Sequence, residues 1–282
     1  MNNLVKRTLV GVVFLAIMIS SLIFTPVIFG AVFMVILWYA LGEFYAMSLG
    51  GLYPVQRKLG LLCAESAFLV CYLSHCYGVP GVWYAAPALL LVCVATSAVF
   101  LGADERKEYE RMPYVFAGLL YIGLPLALSP CLVFGDAGFD GTLMLALFIM
   151  IWVSDTGAFC VGSTLGQRPG AHRLAPSISP KKSWWGVVGG GVFTIGAAVG
   201  MHFIPFFTLL AGISVWHCAA LGLVVSIGGV FGDLYESVWK RHFGFKDSGN
   251  CIPGHGGMLD RFDSSLVAIP LAAIYLVIFG LL

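Results

Sequence analysis

Long apolar runs separated by short polar stretches set the rhythm of this chain. Nine can be marked, at about 8–24, 27–47, 59–77, 82–101, 114–134, 142–153, 184–203, 206–231 and 264–282. Most approach the ~20 residues an α-helix needs to cross the hydrocarbon core of a bilayer. They are too long and too evenly apolar for the alternation of a membrane barrel strand. The pattern predicts an all-α integral membrane protein with about nine transmembrane helices. The sixth run is short for a crossing and leads into polar Ser154 and Asp155. The Gly-rich stretch 156–166 is expected to supply the missing length as backbone buried in protein or lining a cavity. The first run follows the basic opening MNNLVKR, as a secretory signal would. It continues into a second apolar stretch after Pro26, so it reads as a retained span.

Charge placement adds an orientation. Lys6 and Arg7 precede the first run, and Arg57 and Lys58 lie between the second and third. Arg106, Lys107 and Arg111 follow the fourth, and Arg168, Arg173, Lys181 and Lys182 follow the sixth. Lys240, Arg241, Lys246 and Arg261 follow the eighth. All 15 Lys and Arg thus fall on one side of a nine-span arrangement. Positive loops stay in the cytoplasm. The N-terminus is therefore expected inside and the C-terminus outside, in the cell (inner) membrane. Two cytoplasmic loops, 154–183 and 232–263, hold most of the remaining polar residues. The chain divides on this reading into N-terminal transmembrane helices, 1–135, and a C-terminal catalytic transmembrane region, 136–282. The connector around 103–111 mixes signs densely and reads as a solvated loop.

Composition agrees. Of 282 residues 60% are apolar or aromatic and only 10% charged, against roughly 25% charged in soluble domains. That leaves no room for a separate soluble domain of ordinary size. A net charge of +1 gives no reason to expect nucleic acid as a partner. The eight cysteines form no CxxC pair and mostly sit in apolar runs, as small core residues do.

The chemistry concentrates after Gly232. If the eighth helix continues, Asp233, Glu236, Ser237 and Lys240 share one face. Asp260 and Asp263, three apart, would open the ninth helix and point one way. Carboxylates beside an apolar span are costly unless paired or bound to a cation. Carboxylates with lysines, and no Cys/His set, suit Mg²⁺, which also takes phosphate oxygens. Lys240, Arg241, Lys246 and His255 would supply charge for those phosphates. The turn Pro253-Gly-His-Gly-Gly257 lets backbone approach a ligand closely.

The run Ser237-x-x-Lys-Arg-x4-Lys-Asp-x-Gly-x-x-Ile-Pro-x-His-Gly-Gly-Met-x-Asp-Arg-Phe-Asp263 resembles the motif of CDP-diacylglycerol synthases, or phosphatidate cytidylyltransferases. Trp239 stands where that family usually has an aliphatic residue or Phe. A second block, Asp155-Thr-Gly-Ala-Phe, Leu174-x-Pro-x-Ile-Ser-Pro-Lys-Lys-Ser183 and Gly186-x-x-Gly-Gly190, is also similar. There Ser183 replaces the usual Thr, and Trp185 the usual Glu. The blocks cover roughly 150–265.

The resemblance implies transfer of CMP from CTP to phosphatidic acid, giving CDP-diacylglycerol and pyrophosphate for phospholipid biosynthesis. It assigns Asp233, Asp260 and Asp263 to metal. Lys240 and Lys246 join Asp233 and Asp260 as catalytic candidates. Asp155, Ser179, Lys181, Lys182, Ser237, Arg241, His255 and Arg261 are substrate-binding candidates. Glu236 and Asp247 stay open between ligand and supporting residue. Mg²⁺ is the expected cofactor, with one ion or two left open. A homodimer is expected, with membrane lipid around it. His202 and His217 read as structurally satisfied, and Glu43 and Glu65 carry no assignment. Two other readings stand beside this one. A CTP-dependent lipid (polyprenol) kinase would move the γ-phosphoryl, and an ion-coupled transporter would place its carboxylates mid-span.

Overall fold

Inside a bilayer each backbone amide needs an internal partner, and a helix supplies one within its own segment. The computed structural model describes residues 3–135, 137–252, 254 and 256–282, and helix dominates them. The main elements are α1 (Asn3–Ile23), α2 (Pro26–Leu49), α3 (Pro54–Tyr77), α4 (Gly81–Phe100), α5 (Tyr109–Leu132), α6 (Thr142–Thr164), α7 (Trp184–His202), α8 (Val215–His242) and α9 (Ser265–Ile278). Short 3₁₀ turns form the two ends of α4, and a π turn at Leu119–Gly123 interrupts α5. A one-turn helix, Leu259–Phe262, precedes α9. Two antiparallel hairpins complete the inventory: β1 (Phe134–Gly135) with β2 (Gly138–Phe139), and β3 (Arg173–Ala175) with β4 (Ser179–Ser183).

Among the described residues, eight helices are long and apolar enough to cross a membrane. They are α2 to α8 and the segment Leu259–Ile278, so the protein is an all-α, multi-pass membrane protein. The apolar part of α1, Thr8–Ile23, is shorter. Each of the nine apolar runs thus has a helix.

The Gly-rich stretch supplies the length that the sixth run lacks, as expected. Helix continues unbroken through Ser154 and Asp155 to Thr164. The glycines serve contact with α7. A Cβ on Gly157 would meet Phe193 at 2.7 Å, and one on Gly190 would meet the Ser154 carbonyl oxygen at 3.0 Å. Removing side chains lets two helix backbones approach closely, and once packed the helix need not break. The motif glycines 186, 189 and 190 belong to the same contact. The eighth run splits instead, into Thr208–Gly212 and α8, which does continue past Gly232 to His242.

The chain forms two compact units, Met1–Asp140 with Phe243–Phe262, and Gly141–His242 with Asp263–Leu282. In the first, Phe29, Phe33 and Phe68 pack with the hairpin residues Phe134 and Phe139. The Tyr45 hydroxyl donates to the Val115 carbonyl at 2.9 Å, tying α2 to α5. The mixed-charge connector is exposed, with ion pairs Lys107–Asp104 and Arg111–Glu108. It is also docked: the Tyr53 hydroxyl donates to the carbonyls of Glu105 and Glu108, and the Tyr53 amide donates to Glu105. In the second unit, α6, α7, α8 and α9 pack together. Gly228 admits α9 so closely that a Cβ would stand 2.7 Å from Ala268 Cα. His202 Nδ1 lies 2.9 Å from the Leu210 carbonyl and His217 Nδ1 2.7 Å from the Tyr275 hydroxyl, so both have partners.

Candidate active site

Ser-Pro at 179–180 biases the chain toward extended backbone, and β4 carries Lys181 and Lys182 in that form to the start of α7. Ser183 caps α7, its hydroxyl accepting from the Gly186 amide at 3.2 Å. Serine and threonine both supply that oxygen, so this departure from the family pattern leaves the cap intact. Helix α6 brings up Ser154 and Asp155, and α8 brings Asp233. Together these residues line a cavity of about 650 Å³ within the second unit, a size usual for small-molecule sites. Gly186, in the first turn of α7, also lines it. A helix N-terminus favours phosphate. Trp185 is exposed beside it and takes no part in the lining.

Charge is dense here. Lys182 Nζ lies 2.6 Å from Asp233 Oδ2, joining the two long polar loops. Ser237 donates to Asp233 Oδ1 at 3.3 Å, so its hydroxyl positions that carboxylate. Glu236 is fully buried and ion-paired with Lys240 one turn on, which holds the lysine in place. The charged groups acting on Asp263 are Asp233, Asp155 and Lys240. Four carboxylates, Asp155, Asp233, Glu236 and Asp263, outnumber the lysines 181, 182 and 240. An excess of negative charge at a partly buried site is stabilised by a bound cation. In donor chemistry the residues present suit Mg²⁺, which takes carboxylate oxygens.

The motif segment Phe243–Phe262 belongs to the first unit, and there it folds around two carboxylates. Glu43 of α2 accepts from the amides of Met258 (3.0 Å) and Leu259 (2.9 Å) and from the Ser248 hydroxyl (3.0 Å). Asp260 Oδ2 accepts from the amides of Ser248 (3.0 Å) and Gly257 (2.9 Å). The motif glycines 249 and 257 leave room for the Glu43 carboxylate, since a Cβ on either would run into it. Burial and the neighbouring Glu43 push the Cys251 thiol up to about 11. Gly254 and Gly256 take positive φ, 78° and 85°, as the turn requires.

The expected pairing of Asp260 and Asp263 on one helical face is not what forms. Regular helix stops at Phe262, and Asp263 Oδ1 accepts from the Ser264 amide at 2.6 Å. Such a local side-chain bond competes with the helix ladder. Asp260 lies in the first unit, Asp233 and Asp263 in the second. Lys246, Asp247 and Arg261 are exposed. Arg241 Nε donates to the Ile178 carbonyl at 3.4 Å, and Ser179 pairs with Ala175 in the β3–β4 hairpin. Trp239 packs edge-on against Tyr235, so α8 absorbs this departure from the family pattern. His255 lies outside the described residues.

Two contributors carried no assignment from sequence. Ser154 is buried and lines the cavity. Glu43 is the anchor of the motif loop. Its one sequence signal was a carboxylate within an apolar helix, which implies a partner without naming it.

Comparison with known proteins identifies relatives over much of the chain. Phosphatidate cytidylyltransferase of Staphylococcus aureus (strain COL) is 32% identical over 224 residues, 77% of this chain and 79% of its own length. That of Staphylococcus haemolyticus (strain JCSC1435) is 34% identical over 189 residues, 65% and 68% respectively. That of Brucella suis biovar 1 (strain 1330) is 39% identical over 164 residues, 58% and 57%. The cytidylyltransferase family itself matches residues 5–279. With that match running from α1 to the end of α9, this chain belongs to the cytidylyltransferase family.

Proposed function

We propose that the chain transfers CMP from CTP to phosphatidic acid, releasing pyrophosphate and forming CDP-diacylglycerol. Support from the structure lies in one observation above all: Asp155, Lys181, Lys182 and Asp233 share a cavity. Family membership supports the same reading.

The chemistry asks little of a general base. A phosphate monoester, with a second pKa near ~6, is largely dianionic at neutral pH. Its oxygen forms a bond to the α-phosphorus of CTP as the bond to the bridging oxygen of pyrophosphate breaks. What remains is to bring two anions together and offset their charge. Lys181 and Lys182 do this from β4, and Lys240, held by Glu236, does so from α8. Ser183 and Gly186 present the N-terminal turn of α7. Asp155, Asp233 and Asp263 would hold Mg²⁺, which when bound supplies charge neutralisation to phosphate oxygens. Asp260 keeps its proposed metal role, its carboxylate oriented by the amides of Ser248 and Gly257.

A cytoplasmic-facing site in the inner membrane belongs to the same proposal, supported by the sorting of Lys and Arg. So does a homodimer, which cross-linking in detergent would test. For the activity itself, purified protein is given phosphatidate, Mg²⁺ and CTP labelled at the α-phosphate. Label entering the lipid with release of pyrophosphate is the expected result. Entry of γ-label instead would replace this reading with a lipid kinase. Entry of neither would remove both.

A further inference from the structure

Away from the charged cavity, in the first unit, three soft donors converge. Cys71 and His75 stand one helical turn apart near the end of α3, on the same face. Cys131 comes from the 3₁₀ turn Ser129–Leu132 that ends α5. Cys71 Sγ lies 3.6 Å from Cys131 Sγ, and donor atoms of all three residues lie within 4.8 Å of one another. His75 Nδ1 donates to the Cys71 carbonyl at 2.8 Å, which leaves Nε2 as the nitrogen able to bind an ion.

The sulfur–sulfur separation matches a shared ion. With Zn–S about 2.3 Å, tetrahedral angles put two sulfurs ~3.8 Å apart. The observed Cys71–Cys131 separation falls within ~0.2 Å of that value. A disulfide would need sulfurs at about 2.05 Å, and both cysteines are free thiols. The donor set excludes the hard cation of the charged cavity, because thiolate and imidazole select Zn²⁺ or Cu⁺ over Mg²⁺. Charge favours Zn²⁺. Two thiolates and a neutral imidazole around a divalent ion leave no net charge, which suits a site where Cys71 is 1% exposed.

The surroundings resemble the support of a metal centre. The His75 Nδ1–H bond to the Cys71 carbonyl fixes the imidazole ring, which lies against Phe134 with centroids 6.5 Å apart. Outer-shell hydrogen bonds and an apolar wall orient ligands in this way. Cys131 is exposed and gives an ion its entry path.

We infer that Cys71, His75 and Cys131 form a zinc site of three protein ligands, with a water in the fourth position, that clasps the end of α3 to the end of α5. Binding releases a proton from each thiol. Each ligand lies outside the residues placed in the transfer reaction, so the site acts on the helix ends.

The test uses untagged full-length protein in detergent, reduced, stripped with chelator and dialysed against Zn²⁺. Metal per chain is then measured, and Co²⁺ substitution follows the thiolate charge-transfer absorption. The wild type should hold one Zn²⁺ per chain and show that band. Cys131→Ser and His75→Gln should lose the ion by at least tenfold in affinity while keeping cytidylyltransferase turnover. Asp263→Asn should retain it, which separates this site from the carboxylates. No Zn²⁺ on the reduced wild type would overturn the inference. So would equal retention by both ligand variants, or loss in Asp263→Asn alone.

Discussion

Lys182 Nζ of β4 lies 2.6 Å from Asp233 Oδ2 of α8, so a basic residue before one transmembrane helix is paired with an acidic residue within the next. The contact makes a cation donor and a carboxylate of the cavity mutually dependent. If the two lysines serve the substrates, Lys181→Ala with Lys182→Ala should lower kcat/KM about 30-fold or more. That corresponds to losing ~2 kcal/mol of charge-assisted contact. Lysines that merely anchored a helix at anionic headgroups, worth ~1 kcal/mol each, would reduce insertion yet leave kinetics per folded molecule unchanged. Unchanged kinetics on that basis would remove both lysines from the site.

Asp263 shares its surroundings with Asp233 and Asp155. Asp263→Asn keeps the volume and removes a charge, so it should relieve repulsion and leave thermal stability in detergent equal or higher. Turnover at saturating Mg²⁺ should fall by about 10³ or more, the loss of several kcal/mol of charge stabilisation. A well-folded variant with near-normal turnover would exclude Asp263 as a ligand.

Glu43 holds the motif loop through two amides and a hydroxyl. In Glu43→Gln one carboxylate oxygen becomes an amide that cannot accept the same bonds. Hydrogen exchange at Met258 and Leu259 should accelerate at least tenfold, and turnover should fall with it. Exchange at wild-type rates in that variant would mean that the loop holds its form without Glu43.

Glycines along α7 and α8 separate by their neighbours. A Cβ on Gly232 would collide with the Asp263 carbonyl oxygen and come within 2.9 Å of Ser264 Cα, both of them backbone. Gly196 has nothing within 4 Å. Gly232→Ala should therefore lower the melting temperature in detergent and displace Asp263, with loss of activity. Gly196→Ala should be neutral or stabilising by up to ~1 kcal/mol, from helix propensity. Equal behaviour of the two variants would contradict the packing of α8 against the start of α9.

Orientation is tested by fusion. With the basic loops inside, the eight long helices put the C-terminus outside whether or not α1 crosses, since α1 precedes all of them. A reporter active only outside the cytoplasm should work after Leu282 and be silent after Arg57. The reverse pattern would invert the topology.

The helices, their number to within the status of α1, and the residues among which catalysis would be sought are legible in the chain alone. These follow from local rules. A backbone in hydrocarbon satisfies itself four residues away, so apolar run length alone discloses a helix, and the motif from Ser237 to Asp263 is contiguous. What each motif residue touches depends on how the helices pack, and the three-dimensional arrangement supplied that. It gave Asp260 and Asp263 to different compact units, turned the Gly-rich stretch after Asp155 into a helix face, and made Ser237 and Glu236 supports for Asp233 and Lys240. It also found Glu43 a partner 216 positions away and set Cys131 beside Cys71 across 60. No spacing encodes such pairs. They form because a carboxylate or polar donor withdrawn from water must find its partner wherever packing brings one.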